Sequence, residues 1–375
     1  MNVIGYCMNV HPGEDLKSVR AALEQVAVPL RDALAKEVTF ALGLRLGVEA
    51  ARELREQRVA QAFIALLRHH RLTTFGINGF PYGAFHGARV KTAAYAPDWT
   101  DARRLDYTRD LFFALTRMPT VPMEGGAHCP NVTTVPLAYN RGQGIPDEIF
   151  RNLCSMALTL RKLEGFTGVR MRLALEPEPD CLLESAQDTI DFFERLWLHP
   201  DWNPLYRDFI GVCFDTCHFA MNYEEPLNAL RSIVSANIPV ARVQVSAALE
   251  FTEEATREEL LAFNDGTYLH QVRRREENAA LKCFPDLTPD SLPEILGRRG
   301  RIHCHVPLAW EGIGRLGSTR HTLTPAFWRY VRAGGWPIEI ETYTYPELPS
   351  AFHGHTLSEM LLQDFRWVHQ QLRSV

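Results

Sequence analysis

Apolar positions along the chain fall into short runs separated by longer stretches of helical period. Aliphatic, β-branched and aromatic residues dominate Ile4 to Val10, Thr39 to Leu46, Thr73 to Phe80 and Asn131 to Leu137. The same holds for Val169 to Leu175, Phe209 to Phe214, Val240 to Val245 and Pro337 to Ile340. Most runs begin about 30 to 40 residues after the one before, roughly the length of one strand–helix unit. Between them, Glu14 to Leu34 sets Leu16, Val19, Leu23, Val26 and Leu30 at helical spacing. Pro146 stands where a first helical turn begins, and Gly165 is read as the close of that helix. Ser185 is placed to cap a helix, with Asp188 three residues on. A last helix is expected over Leu357 to Leu372.

Met171 to Leu175 and Phe209 to Phe214 are nearly all apolar, as strands buried on both faces are. Eight such units predict a closed (β/α)8 TIM barrel, with residues 1–375 forming a single domain. The alternative, an open doubly wound sheet, would place a glycine-rich phosphate turn after its first strand. Here that strand ends in Asn9-Val10-His11-Pro12-Gly13, which is no such turn. Two stretches exceed the repeat. Pro81 to Asp101 is rich in Gly, Tyr, Phe and His and reads as a lid or pocket loop; Glu250 to Arg301 precedes an extra strand, Ile302 to Val306. Insertions that serve a barrel's active site lie on its C-terminal face, and both are expected there.

Composition narrows the function. A chain of 375 residues that is 46% hydrophobic can fill one large core. Its net charge of -5, with both signs mixed along the chain, argues against a nucleic-acid partner, whose phosphates reward a basic excess. The chain shows no basic start followed by an apolar run, and no uninterrupted apolar stretch of about 18 residues. No signal peptide or membrane insertion is therefore expected. Eight cysteines without a CxxC pair read as reduced thiols in the cytoplasm.

In such a barrel, polar residues at the C-terminal strand ends meet at one mouth. The ends carry Asn9 and His11; Arg45; Asn78, followed by Tyr82 and His86; Glu176 and Glu178; Asp215 and His218; Gln244 and Ser246; His303 and His305; Glu339 and Glu341. A charge at the end of an apolar strand is costly unless it is paired or bound to a metal. Glu176, Asp215 and Glu341 would repel one another at one mouth. A single divalent ion (manganese, magnesium, zinc or iron) removes that conflict. Glu178, Glu339 and Ser246 read as ordinary pairing partners. His303 and His305 alternate on a strand, so one should point inward, and His305 is the choice. His270, in the insertion, is a further candidate.

The segments Leu-Ala-Leu-Glu176-Pro, Phe-Asp215-Thr-Cys-His218 and Ile-Glu341-Thr resemble the metal-ligand strands of the xylose isomerase-like superfamily. Over the whole chain, Gly5 to Gly13 and Asn78 to Gly87 resemble most the bacterial family of metabolite traffic protein EboE. The superfamily resemblance implies a metal held by Glu, Asp, His and Glu from successive strands. Glu176, Asp215 and Glu341 match. Gln244 stands where His is usual, and either its carbonyl oxygen or His305 fills that place. The EboE resemblance implies work on secondary metabolites, with export-pathway partners.

Three functions compete. The first is a metal-dependent isomerase or epimerase of a polyhydroxylated small molecule. Glu176 and Glu341 would move the proton, and the metal would polarise a carbonyl. His218 assists, while His11, Arg45, Asn78, Phe80, Tyr82, His86, Lys91 and His270 contact substrate. The second is metal-assisted phosphoester hydrolysis, for which the arginines at 273–275, 298, 299 and 301 offer a basic surface. The third is a non-catalytic barrel that binds and hands over a metabolite, alone or as a homo-oligomer.

Overall fold

The structure is a computed structural model that describes residues 3–34, 40–83, 90–121, 129–140, 142, 144–264, 266–276, 280–342 and 356–375. Seven parallel strands come first: β1 (Ile4–Cys7), β2 (Phe40–Arg45), β3 (Thr74–Asn78), β4 (Asn131–Thr134), β5 (Arg172–Leu175), β6 (Ile210–Asp215) and β7 (Val240–Val245). Six further strands then form before the chain returns to the barrel. They are β8 (Leu249–Phe251), β9 (Val272–Arg275), β10 (Leu281–Phe284), β11 (Gly300–Ile302), β12 (Gly312–Ile313) and β13 (Leu316–Ser318). The chain then enters β14 (Ile338–Ile340), which pairs in parallel with both β7 and β1 and closes the barrel. All eight expected barrel strands are present, each within or one residue beyond its apolar run.

The barrel strands are buried almost throughout, which is why their sequences show no in–out alternation. Part of the interior is polar. Arg242 on β7 donates to Glu339 Oε2 at 2.6 Å, Asn78 Oδ1 at 2.8 Å and Asn131 Oδ1 at 2.6 Å. Its guanidinium also lies over the Phe75 ring, 4.7 Å from the centroid. Two glycines make room for this network. A Cβ on Gly43 would lie 1.7 Å from Glu339 Oε1, and one on Gly76 would lie 2.5 Å from an Arg242 nitrogen.

Helices cover the barrel outside. The first amphipathic stretch forms Leu16–Ala22 and Val28–Leu34, joined by a wider π turn over Leu23–Ala27. The helix Asp147–Thr167 runs past Gly165 and stops at Gly168, whose left-handed conformation (φ 73°) ends it. The glycine that adopts positive φ, not the first glycine in the pattern, sets the end. Ser185 and Asp188 form a reciprocal capping box, and the last helix spans Leu357–Arg373. Among the described residues no helix is long and apolar enough to cross a membrane.

The long insertion is more ordered than its sequence suggested. Strands β8 to β13 form one antiparallel sheet in the order β10-β9-β11-β8-β13-β12. The segment after β3 is tied to it: Val90 and Lys91 donate backbone N–H groups to the Thr267 carbonyl at 2.9 Å, and Lys91 pairs with Asp286 at 2.7 Å. Four of the six clustered arginines are held by carboxylates. Arg273 bonds Asp180 and Glu184, Arg274 bonds Glu276, Arg299 bonds Glu253 and Arg301 bonds Glu250. The cluster is therefore largely neutralised rather than a bare basic surface.

Candidate metal centre

Three barrel strands deliver three carboxylates to one point. Glu176 directly follows β5, Asp215 is the last residue of β6, and Glu341 directly follows β14. Each offers an oxygen within 4.8 Å of the others, and all three side chains are buried. Burial, then the charges of Glu341, Asp215 and Glu178, pushes the Glu176 carboxyl well above the ordinary carboxylate range. Glu341 is raised in the same direction by burial, then by Asp215 and Glu339, despite hydrogen bonds from Asn9 and Cys7. Asp215 goes the other way. Burial raises it, but His218, His305 and the Ser246 hydroxyl together bring it below the ordinary value.

Two of the three carboxylates are oriented by hydrogen bonds. Asp215 Oδ1 accepts from Cys217 N at 2.7 Å, His218 N at 3.1 Å and Ser246 Oγ at 2.6 Å, and so caps the short helix Thr216–Met221. Glu341 Oε1 accepts from Asn9 Nδ2 at 3.1 Å and Cys7 Sγ at 3.3 Å, and its Oε2 accepts from Gln244 Nε2 at 2.8 Å. Two oxygens remain: Glu176 Oε2 and Asp215 Oδ2 are buried with no hydrogen-bond partner among the described residues. A buried anionic oxygen without a donor is costly. A divalent ion bound by oxygen ligands would satisfy both, so the residues present fit such an ion.

Three imidazoles stand beside the carboxylates. His218 lies in the first turn after Asp215, and its Nδ1 is 2.8 Å from the Pro177 carbonyl. His303 Nδ1 is 2.8 Å from Gln271 Oε1, and His305 Nδ1 is 3.3 Å from the Glu341 carbonyl. His303 Nε2 and His305 Nε2 lie 3.1 Å apart. The expectation that only one of these two faces inward was wrong for a physical reason. The strand ends at Ile302, and Cys304 N and Val306 N then bond the carbonyls two residues back, at 2.8 and 2.9 Å. These tight three-residue turns cancel strand alternation, so both rings face the mouth. Burial is the largest effect lowering both, His305 to about 4 and His303 well below the ordinary imidazole value. Both rings are therefore neutral at pH 7.

Other expected site residues are placed differently. Gln244 is at the site but presents its amide nitrogen; its oxygen lies 2.6 Å from Cys213 Sγ, so it braces Glu341 and could ligate only after the amide turns over. Phe80 lines the cleft together with Asn9, Pro81, Glu176, Glu178, Glu341 and the three histidines. Arg45 does not reach the cleft: its guanidinium donates to the Pro81 and Gly83 carbonyls at 2.8 and 2.9 Å and braces the segment after β3. Asn78 is held inside the barrel by Arg242 and Glu339. His11 bonds the Tyr6 hydroxyl at 2.6 Å, Tyr82 packs on Tyr107, and Lys91 is committed to Asp286. His270 supports the His303 segment through its carbonyl at 3.2 Å and Cys304 Sγ at 3.3 Å. His86 lies outside the described residues.

Sequence reasoning read Glu178 and Ser246 as ordinary pairing partners and preferred His305 to His303; Ser246 does pair, donating to Asp215, whereas Glu178 and His303 both line the cleft. The Tyr95 hydroxyl donates to Glu178 Oε1 at 2.8 Å, and burial raises the Glu178 carboxyl to about 7. The available signal was the Glu-Pro-Glu spacing, which sends two carboxylates from one strand end into one cleft.

No protein-family model matches the sequence, and no curated protein does. Solved structures match over its full length. The IolI protein with a bound zinc atom aligns with a TM-score of 0.51 at 11% identity, covering 100% of this chain and 99% of that one. A D-allulose 3-epimerase from Methylomonas sp. gives 0.51 at 11% identity, with 99% and 98% covered. A xylose isomerase-like TIM barrel protein from Mycobacterium smegmatis, in complex with magnesium, gives 0.50 at 12% identity, with 100% and 97% covered. The fold is a xylose isomerase-like (β/α)8 barrel. At such identities the likeness of this xylose isomerase-like chain to its neighbours is one of fold, and the narrower resemblance to the EboE family finds no support in it.

Proposed function

We propose that this xylose isomerase-like barrel is a divalent-metal-dependent isomerase or epimerase of a polyhydroxylated small molecule. The observation that carries the reading is the meeting of Glu176, Asp215 and Glu341 in a buried mouth, with two of their oxygens lacking any donor. The fold neighbours, which include a D-allulose 3-epimerase and proteins with zinc or magnesium, support the same kind of chemistry. When bound, the ion supplies a Lewis acid that polarises a substrate carbonyl.

The chain's own residues handle the proton. Glu176 takes it from the carbon beside the carbonyl, and Glu341 returns one at the same or the neighbouring carbon. Gln244, Asn9 and Cys7 hold the Glu341 carboxyl while it does so. His218, fixed through Nδ1, turns its Nε2 toward the cleft to bind or relay a proton at a hydroxyl. Phe80 walls the cleft and helps exclude water.

The experiment is incubation of the metal-loaded protein with ketoses and aldoses in deuterium oxide. Deuterium should appear at the carbon next to the carbonyl. Glu341→Gln should slow this about 10²–10⁴-fold, the usual worth of a positioned acid–base group. Sugar binding with no exchange in the wild-type protein contradicts the reading and favours a barrel that only holds its ligand.

The three imidazoles give some support to a second reading, phosphoester hydrolysis, which uses closely set ions. Phosphate release from a simple aryl phosphate, without any deuterium exchange, would favour it.

A further inference from the structure

We propose that Tyr95 and Gln271 are positioning residues for the proposed reaction: they form a one-way hydrogen-bond chain that holds Glu178 and presents His303 to the substrate as an acceptor for one of its hydroxyls. The proposal rests on the isomerase reading for its substrate but not for its geometry. It also gives a task to the two stretches that exceed the strand–helix repeat. Tyr95 ends the short helix Lys91–Tyr95 after β3, while Gln271 directly precedes β9 and His303 directly follows β11 of the inserted sheet.

The direction of the chain is fixed at one atom. Gln271 Nε2 lies 3.3 Å from the Pro179 carbonyl, which can only accept, so the amide nitrogen stands there and not the oxygen. The amide oxygen is then the atom 2.8 Å from His303 Nδ1, and that ring nitrogen must carry the proton. Because the ring is neutral, His303 Nε2 can accept a hydrogen bond but not donate one. Gln271 Nε2 also donates to the Tyr95 hydroxyl at 3.4 Å, and that hydroxyl donates to Glu178 Oε1 at 2.8 Å. Glu178 Oε1 is 3.9 Å from His303 Nδ1, too far for a direct bond, so the link runs through Tyr95 and Gln271. Burial, then the charge of Glu178, raises the Tyr95 phenol well above its ordinary value, so the hydroxyl keeps its proton.

The chain is built to stay in place. Tyr95, Gln271 and His303 are all buried. The Tyr95 ring packs edge-on against Phe80, with centroids 5.7 Å apart, and lies 5.2 Å from the Tyr139 ring. Pairing of β9 with β11 sets Gln271 beside His303, whose backbone N–H donates to the Gln271 carbonyl at 2.9 Å. Glu178 and His303 line the cleft, and Tyr95 and Gln271 stand behind them. The effect of Tyr95 and Gln271 on a substrate therefore passes through those two side chains. A His303 ring free to take either tautomer would have to be fixed when a hydroxyl arrives. Fixing it beforehand removes that cost from binding.

Two measurements on the full-length chain in excess magnesium test the proposal. The first is the long-range nitrogen–proton spectrum of protein labelled at histidine, at pH 8. The ring signals that vanish in His303→Gln should show a proton on Nδ1 alone. Gln271→Met, which keeps the side chain's length but not its amide, should turn them into a mixture of both tautomers. The second is deuterium-exchange kinetics with a ketose or aldose that responds. Tyr95→Phe and Gln271→Met should each raise KM about 3–10-fold, the worth of one hydrogen bond, and change kcat less than about 2-fold. A wild-type His303 protonated at Nε2, or a tautomer unchanged in Gln271→Met, overturns the proposal. So does an unchanged KM, and a fall in kcat at constant KM would make the chain part of the proton transfer instead. If no sugar exchanges, the isomerase reading fails, while the tautomer spectrum still decides whether the chain sets His303.

Discussion

Gln244 Nε2 donates to Glu341 Oε2 at 2.8 Å, and the two side chains come from adjacent barrel strands and the turn beyond them. The bond fixes one oxygen of a carboxylate whose other oxygen is held by Asn9 and Cys7. The residue expected to bind the ion thus positions one that would. Gln244→Leu should leave the barrel folded and lower affinity at the carboxylate site about 10–100-fold, the usual effect of losing such an outer hydrogen bond. Calorimetric titration with manganese measures it. Unchanged affinity would show that the bond does not matter to the ion.

The buried pair Arg242–Glu339 makes a separate prediction about stability. Both side chains are fully buried, and Arg242 also satisfies Asn78 and Asn131. Removing one charge strands the other, at about 3–5 kcal/mol. Arg242→Met should lose that much in urea unfolding. Arg242→Met combined with Glu339→Leu should lose less than the two single changes summed, because neither charge is then left alone. Simple additivity would contradict a paired network.

The eight barrel strands and most helix ends were legible in the sequence because burial on both faces leaves a continuous apolar run. Glu176, Asp215 and Glu341 were legible for a related reason: a charge ending such a run stands out. His303 was not, because its inward direction depends on tight turns that break strand alternation. Arg45 misled because a strand-end position gives no sign of where a long side chain reaches; here it reaches back to the carbonyls after β3. The inserted sheet was hidden because its strands are short and half-exposed, as in β9 and β10, and lack the apolar signature of the barrel.

The raised carboxyls make the metal-free protein sensitive to pH. Glu176, Glu178 and Glu341 are all pushed up, Glu178 to about 7, chiefly by burial. The unfolded chain releases these protons near pH 4.5, before the folded one does. Each group therefore costs stability as pH rises above about 4.5, and the cost levels off above its folded value. For Glu178 that amounts to about 3 kcal/mol by pH 8. The melting temperature of stripped protein should fall between pH 5 and pH 8, and excess manganese should reverse much of the fall. A metal-free profile that rises over this range would contradict the assignment.

The link between the segment after β3 and the inserted sheet rests partly on Lys91 and Asp286, a half-buried pair at 2.7 Å. Lys91→Met should change overall stability by no more than about 1 kcal/mol. It should speed hydrogen exchange locally, at residues 90–95 and 267–271, as read by mass spectrometry. Uniformly faster exchange would mean that the pair stabilises the whole molecule and not this contact.

The central claim is that Glu176, Asp215 and Glu341 share one ion. Anomalous scattering from crystals grown with manganese tests it most directly. The account predicts a strong peak bounded by carboxylate oxygens of all three residues, at about 2.0–2.2 Å from each, the range for a small divalent cation. A manganese-saturated crystal with no peak at that mouth, or with those carboxylates turned away from the ion, would contradict it.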